Sequence, residues 1–127
     1  RRAQGRRAAR MSRAAAEQRG RRAEAIAAIY LQLKGWRIIA RRRRMPMIEL
    51  DLVARRGQVL AVVEVKHRPT LDAALTALRP EAAARLQRAA AQLAAEAAHK
   101  GRAAPVARVD LIALAPGRWP RHIAGVQ

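Results

Sequence analysis

The segment IELDLVARRGQVLAVVEVK, residues 48–66, decides the fold class of this chain. Its first half alternates apolar and polar residues, and its second half is an almost continuous run of Val, Leu and Ala. Two such runs around a Gly-containing turn predict a β-hairpin whose second strand is covered on both faces. The hairpin also carries charge where a buried strand should carry none, at Glu49, Asp51, Glu64 and Lys66.

The sequence on either side of the hairpin alternates between helical and strand patterns. Residues 14–34 repeat apolar side chains at three- and four-residue spacing, which predicts a helix that ends at Gly35. A strand should follow and lead into a basic turn at Arg41–Arg44. Residues 70–101 are helix-forming, and residues 105–115 predict another strand. The order αβββαβ, with a short final strand, is typical of an α/β fold with a mixed β-sheet flanked by helices.

The charge of the chain is high and unevenly distributed. The 127 residues contain 27 Lys and Arg against 9 Asp and Glu, a net charge of +18. Residues 1–44 hold 15 of the basic residues and two of the acidic ones, which is +13 of that total. Because guanidinium groups bind phosphates bidentately, the Arg excess favours a nucleic-acid partner. We predict a flexible basic arm over residues 1–13 and a single domain over residues 14–127.

Composition excludes several classes of site. The chain has no Cys, so disulfides and thiolate metal sites are excluded, and the reducing cytoplasm is the expected compartment. With no Cys and a single Ser, catalysis by a covalent nucleophile is not expected. No apolar run is long enough to span a bilayer, so a membrane is not an expected partner.

The charges of the hairpin fall on one face of it. If Arg56-Gly57 form a two-residue loop, Glu49 lies opposite Glu64, Asp51 lies one diagonal away, and Lys66 shares their face. Like charges directly opposite each other destabilise a sheet, so this arrangement needs a cation, a Lys or a bound proton to compensate. Carboxylates are ligands that Mg²⁺ prefers, but the pattern alone leaves a buried structural ion pair equally open.

A wider pattern resembles a known family. The segments RGRRAEAIAAIYLQLKGWRIIARRRR, IELDLVARRGQVLAVVEVKHR, RLQRAAAQLA and ARVDLIALA occur in the order and spacing of the YraN-like family of small bacterial proteins. That resemblance covers residues 20–126 and implies a restriction-endonuclease-like fold with the PD-(D/E)XK signature. Where the family carries Gly-Gly before the acidic strand, this chain has Met47-Ile48.

The resemblance implies a metal-dependent nuclease that binds DNA and hydrolyses phosphodiester bonds with Mg²⁺ or Mn²⁺. The implied catalytic residues are Asp51, Glu64 and Lys66. The implied metal ligands are Asp51 and Glu64, joined by Glu24 and Glu49 as additional or second-layer ligands. For Glu24 the alternative is a solvated helix residue that pairs with Arg21 or with the preceding turn, and for Glu49 it is a pair with an Arg of Arg41–Arg44. Asp110 lies in an apolar strand beside Arg108, where a structural salt bridge is predicted.

Nucleic-acid contacts are predicted at Arg41, Arg42, Arg43, Arg44, His67 and Arg68, although Arg41–Arg44 also fit a solvated turn. The expected partner is DNA, including branched or single-stranded forms, with RNA as an alternative ligand and a homodimer as the expected assembly for cutting two strands. A non-catalytic nucleic-acid-binding module on the same fold is the second hypothesis. A basic assembly or ribosome-associated protein is the third, since it requires only the charge.

Overall fold

The computed structural model describes residues 2–99 and 101–127, and it contains one five-stranded sheet with helices on both faces. The elements are α1 (Arg2–Leu33), β1 (Arg37–Met45), β2 (Ile48–Arg56), β3 (Val59–His67), α2 (Leu71–Leu75), α3 (Pro80–Glu96), β4 (Val106–Leu114) and β5 (Arg121–Ile123). The spatial order is β1-β2-β3-β4-β5, and only the β3–β4 pair is parallel. The predicted α/β class, element order and short final strand are confirmed.

Strand β3 lies at the centre of two hydrophobic layers. Ala61 and Val63 pack in a cluster with the buried face of α1, and Leu60 and Val62 pack in a cluster with α3. The prediction for β3 is therefore confirmed: its apolar run is continuous because both of its faces are covered. Helix α3 belongs to the connection between the parallel strands β3 and β4, which cannot be joined by a tight turn.

Helix α1 is longer than predicted. It begins at Arg2, and the segment predicted to be a flexible arm is helical over residues 2–13, with Arg1 outside the described residues. Residues 2–19 are exposed, so their helix rests on the high helix propensity of Ala and Arg and not on packing. The end of α1 is as predicted: Gly35 has φ +89°, and the Trp36 N–H donates to the Leu31 carbonyl at 3.0 Å.

The basic run Arg41–Arg44 does not form the predicted turn. It lies within the edge strand β1, and the turn follows at Pro46-Met47. Strand β1 pairs with β2 over its whole length, with one irregularity between Ile38 and Ala40. A ladder of hydrogen bonds with β2 is available to this segment, whereas four consecutive arginines carry no turn-forming chemistry of their own.

The hairpin register also differs from the prediction. Arg56 pairs with Val59, so the loop is Gly57-Gln58 and not Arg56-Gly57. Gly57 occupies the left-handed region with φ +59°, which a two-residue hairpin loop requires. The change moves the ladder by two positions, so every side chain keeps its face but meets a different partner.

One predicted face assignment in β2 is wrong. Leu50 and Leu52 were expected on the same face, but Leu50 packs in the α3 cluster and Leu52 in the α1 cluster. The alternation is broken at Asp51, between them. Arg42, which precedes the Arg43–Leu50 pair on the neighbouring strand, has φ +50° and breaks the regular strand conformation there. The distortion lies at the start of the candidate site.

Candidate active site at the fork of strands β2 and β3

Strands β2 and β3 separate at one end of their hairpin. Their pairing runs from Arg56–Val59 to Leu52–Val63. Beyond that point β2 stays paired with β1 as far as Ile48, and β3 stays paired with β4 as far as His67. The first residues of the two diverging arms are Asp51 and Glu64. The fork therefore presents two carboxylates at the position where the ladder stops holding the strands together.

Asp51 is fixed by the backbone of the opposite arm. The Val65 N–H donates a hydrogen bond of 2.9 Å to Asp51 Oδ2. The side chain thus accepts from β3 just past the last paired residues, Leu52 and Val63. A hydrogen bond from a backbone N–H orients the carboxylate and leaves Oδ1 without a role in this contact. Asp51 lies opposite Glu64 at the fork, so it takes the place of Glu49, the predicted partner of Glu64.

The surroundings of Glu64 destabilise its ionised form. Burial raises its pKa, the charge of Asp51 and a hydrogen bond with Asp51 raise it further, and together they bring the pKa to about 8. Lys66 opposes this shift with its Nζ 3.5 Å from Glu64 Oε1, but does not cancel it. At neutral pH in the absence of a cation, Glu64 therefore holds a proton. The three residues predicted as catalytic are brought together.

A cleft of about 300 Å³ opens between this fork and the middle of α1. Its lining combines the fork with one face of the helix: Ala16, Arg19, Gly20, Ala23, Glu24, Asp51, Glu64, Val65, His67 and Arg68. The predicted contacts His67 and Arg68 are thus at the cleft with the carboxylates. Arg19 was not predicted. Its spacing of three residues from Ala16 and four from Ala23 puts it on the same helix face, and that periodicity was the signal available.

Glu24 lies in the cleft, but its carboxylate already has a partner. Arg42 Nε donates to Glu24 Oε2 at 2.8 Å, and the Glu24 side chain is largely buried. A half-buried, short ion pair of this kind is stronger than a surface pair. In this conformation Arg42, predicted to contact phosphate, instead ties β1 to α1. Glu24 forms an ion pair, but with Arg42 of β1 and not with Arg21 of its own helix.

The remaining predicted residues lie outside the cleft. Glu49 contacts Arg44 at 3.9 Å, and Arg43 contacts Glu96 at 3.9 Å, both between exposed side chains. Arg41 is also exposed on β1. Contacts of this length on a surface add little stability. The edge strand therefore displays basic groups to solvent, and Glu49 is not part of the same group as Asp51 and Glu64.

The donor set fits a hard divalent cation. Over residues 2–99 and 101–127, no three or more His, Asp or Glu side chains form a metal-binding group. Mg²⁺ needs fewer, since it is typically held by one or two carboxylates and keeps several waters. Burial and then the charge of Asp51 raise the pKa of Glu64 to about 8, and a bound cation would relieve the repulsion between the two carboxylates. Asp51 and Glu64 are the residues that would hold it.

A second polar cluster was only partly predicted. Asp110 is fully buried and accepts two hydrogen bonds from Arg108, at 2.8 and 2.9 Å, which confirms the predicted structural salt bridge. His122 Nε2 at 2.7 Å and the Gly125 N–H at 3.1 Å complete the ring around it. His122 was given no role from the sequence. Its contact depends on β5 pairing with β4, which no local pattern could reveal.

Comparison with known proteins identifies the family. The model of the family described as "Uncharacterised protein family UPF0102" matches residues 23–114. The chain belongs to the UPF0102 family. The predicted resemblance to the YraN-like proteins is thereby confirmed. The matched range begins beside Glu24 and includes both arms of the fork, so the candidate site lies within the part of the chain that defines the family.

The chain is similar over most of its length to UPF0102 proteins of several bacteria. It is 54% identical over 109 residues to one from Caulobacter vibrioides (strain NA1000 / CB15N), covering 86% of each chain. It is 50% identical over 110 residues to one from Parvibaculum lavamentivorans, covering 87% of this chain and 81% of the relative. For Sphingopyxis alaskensis the identity is 47% over 116 residues, covering 91% and 97%.

Membrane insertion through a helix finds no support in the described part of the chain. Within it, no helix combines the length and the apolar composition that crossing a bilayer requires. The longest helix, α1, is rich in Arg over its exposed first half.

Proposed function

We propose that this UPF0102 protein is a metal-dependent nuclease that binds DNA and hydrolyses its phosphodiester bonds in the bacterial cytoplasm. The observation that carries the proposal is the fork, where two half-buried carboxylates line a cleft together with Arg19, His67 and Arg68, and the Lys66 amino group lies 3.5 Å from Glu64. A structural ion pair would be expected to neutralise Glu64. Here its pKa is about 8 despite Lys66, so the protein does not compensate the ionised form of Glu64.

The roles follow from the contacts. Asp51 is held in place by the Val65 N–H, so its carboxylate is oriented without further reorganisation. Glu64 must lose its proton before it can act as a ligand, and the approach of a cation would favour that loss. A bound Mg²⁺ or Mn²⁺ would supply Lewis-acid stabilisation of the phosphate and a more acidic water. Lys66, next to Glu64, would orient the attacking water and donate to a phosphate oxygen.

Binding of the polyanion would use the basic groups around the cleft and on the edge strand. Arg19 and Arg68 line the cleft itself, and Arg41, Arg43 and Arg44 are exposed along β1. The exposed first half of α1 adds further arginines. With a net charge of +18, affinity should fall steeply as salt rises, because each neutralised phosphate releases counterions. Cutting both strands of a duplex would use a homodimer of the chain.

Cleavage assays on purified protein test the proposal. Branched, flapped and single-stranded DNA should be cut in Mg²⁺ or Mn²⁺, and Asp51→Asn should abolish cleavage while leaving binding intact. Asp72→Asn is the matched control, because Asp72 is an exposed carboxylate in the first turn of α2, outside the cleft. Cleavage that survives Asp51→Asn would refute the assigned site. Binding of Mn²⁺, followed by electron paramagnetic resonance, should be lost in the same variant and gives a readout independent of activity.

A non-catalytic nucleic-acid-binding module is the second candidate. The ion pair between Glu24 and Arg42 favours it, because it occupies one carboxylate of the predicted set of four metal ligands. Glu49 lies outside the cleft beside Arg44, so the fork keeps two of the four, Asp51 and Glu64. This candidate predicts salt-dependent DNA binding, with RNA tested alongside, and no cleavage with either metal. Binding that shows no salt dependence would contradict both candidates.

A further inference from the structure

The tip of the β1–β2 hairpin carries an exposed methionine in an unfavourable backbone conformation. Met47 is 96% exposed and has φ +73°, the left-handed region that residues with a Cβ avoid. Both features cost the folded state something, since a Gly would suit the turn better and a polar side chain would suit the solvent better. Neither feature contributes to the cores of the domain, in which Met47 has no part.

The surroundings of Met47 are basic. A groove of about 330 Å³ separates the tip from α3, and Arg85 and Arg88 of α3 line it together with Pro46, Met47 and Ile48. Arg44, three residues before Met47, is 90% exposed in its side chain. An apolar point flanked by guanidinium groups on two sides is poorly suited to an apolar protein partner. It is well suited to a polyanion with an apolar interior, which is the character of a nucleic-acid duplex.

The tip also lies within reach of the same ligand as the fork. Met47 lies in the turn just before β2 and precedes Asp51 by four residues, which is roughly 13 Å at about 3.3 Å per residue. The cleft faces α1 and the groove beside Met47 faces α3, so a duplex would contact both across this end of the sheet. Because base pairs are stacked about 3.4 Å apart, that distance corresponds to about four base steps.

We propose that the Pro46-Met47 tip is a wedge that inserts between base pairs of duplex DNA and selects DNA with a locally unstacked step, such as a gap, nick or branch. Apolar side chains, Met and Pro among them, insert in this way in proteins that kink DNA, and the arginines beside them hold the flanking phosphates. Insertion must separate stacked bases, so it is easiest where stacking is already lost. The inference rests on the proposed function only in taking DNA as the ligand, because it requires neither a metal nor cleavage.

The experiment compares binding to an intact duplex and to the same duplex with a central gap, in EDTA so that no cleavage occurs. Fluorescence anisotropy gives the two affinities, and 2-aminopurine beside the gap reports unstacking. Wild-type protein should prefer the gapped duplex by roughly tenfold, equivalent to about 1.4 kcal/mol. Met47→Gly should remove that preference and the 2-aminopurine signal, with intact-duplex affinity unchanged within about twofold.

Met47→Gly separates the wedge from effects on folding. Because Gly is at ease at φ +73°, the variant should unfold at the same temperature as wild type or a higher one. Leu33→Ala is the matched control, because it removes an 83% exposed apolar side chain at the C-terminal end of α1 and leaves the tip unchanged. The preference for the gapped duplex should persist in this variant. A preference that survives Met47→Gly would overturn the wedge alone. Failure to bind either duplex would overturn the proposed function as well.

Discussion

Two carboxylates in adjacent strands of the sheet have pKa values that are shifted in opposite directions. Asp110 of β4 is paired in register with Val63 of β3, and Glu64 is the next residue along β3. Burial raises the pKa of both carboxyls. For Asp110, hydrogen bonds from His122, Arg108 and the Gly125 N–H outweigh burial and hold the pKa at about 2. For Glu64, Asp51 adds to the effect of burial, and the pKa rises to about 8.

The difference shows how one sheet can contain both a compensated and an uncompensated acid. Asp110 accepts hydrogen bonds from Arg108, His122 and the Gly125 N–H, and it ties β4 to β5 and to the Gly125 segment. Lys34 Nζ lies 2.7 Å from His122 Nδ1, so the network fits a neutral His122 that donates from Nε2 to Asp110. Glu64 has a single cation, Lys66, for two carboxylates. The compensated site stabilises the fold, and the uncompensated site is available to a ligand.

Removing the compensated acid should have the largest effect on stability. Asp110→Ala would leave Arg108 and His122 without their buried acceptor, and we expect a loss of about 3–5 kcal/mol in the free energy of unfolding. Urea denaturation at pH 7 measures it. Asp72→Ala, at an exposed position, should change stability by no more than about 0.5 kcal/mol. A loss at Asp110 as small as that of the control would mean that the network is not structural.

Neutralising Glu64 should have the opposite effect on the free energy of unfolding from removing Asp110. The pKa of Glu64 rises from 4.5 to about 8 on folding, so its contribution is fully present below pH 4.5 and is lost as pH rises through 8. Metal-free wild-type protein should therefore lose stability relative to Glu64→Gln between pH 5 and 9, by an amount on the order of a few kcal/mol. Urea denaturation in EDTA across this range measures the difference. A difference between the two proteins that stays constant with pH would contradict the raised pKa.

A divalent cation should offset the instability that ionised Glu64 causes in the wild-type protein. Mg²⁺ that binds only the folded state stabilises it by about 1.4 kcal/mol at a concentration tenfold above Kd. Because Glu64 must release its proton, the stabilisation should grow from pH 6 to pH 8. Thermal unfolding of wild type and Asp51→Asn, with and without Mg²⁺, provides the measurement. Equal stabilisation of both proteins would show that the cation binds elsewhere.

The smallest effect is expected at Glu49, the acid that the fork leaves out. Its contact with Arg44 is 3.9 Å long and exposed, so Glu49→Gln should change the free energy of unfolding by about 0.5 kcal/mol or less. DNA cleavage and Mn²⁺ binding should also stay at the wild-type level. Loss of either one in Glu49→Gln, comparable to the loss in Asp51→Asn, would extend the site beyond the fork.

Much of the fold could be predicted because its signals are local. The apolar run of β3 and the helical spacing of α1 each reflect which faces are buried, whereas the alternation of β2 holds only on either side of the break at Asp51. The hairpin register could not be predicted, because loops at Arg56-Gly57 and Gly57-Gln58 both place Gly57 in the turn. The two registers put the same side chains on the same faces, so the hydrophobic pattern does not distinguish between them.

The candidate site shows the same division. Asp51, Glu64 and Lys66 could be singled out, because charge inside a buried strand pair conflicts with packing and so requires an explanation. The ion pair between Glu24 and Arg42 could not be predicted, since it depends on the approach of α1 to β1 and on the φ of +50° at Arg42. The enclosure of Asp110 by His122 likewise depends on where β5 joins the sheet.

The sequence by itself determined the α/β class, the central strand β3 and the two acids at the candidate site, because burial imposes a period on each strand and helix, and because misplaced charge stands out against it. Only the tertiary structure decided how those acids are compensated. The sequence does not distinguish a carboxylate in β3 from one in β4. Their pKa values depend on which donors the neighbouring elements bring within hydrogen-bonding distance. The fork brings Glu64 a second carboxylate, and β5 brings Asp110 a histidine.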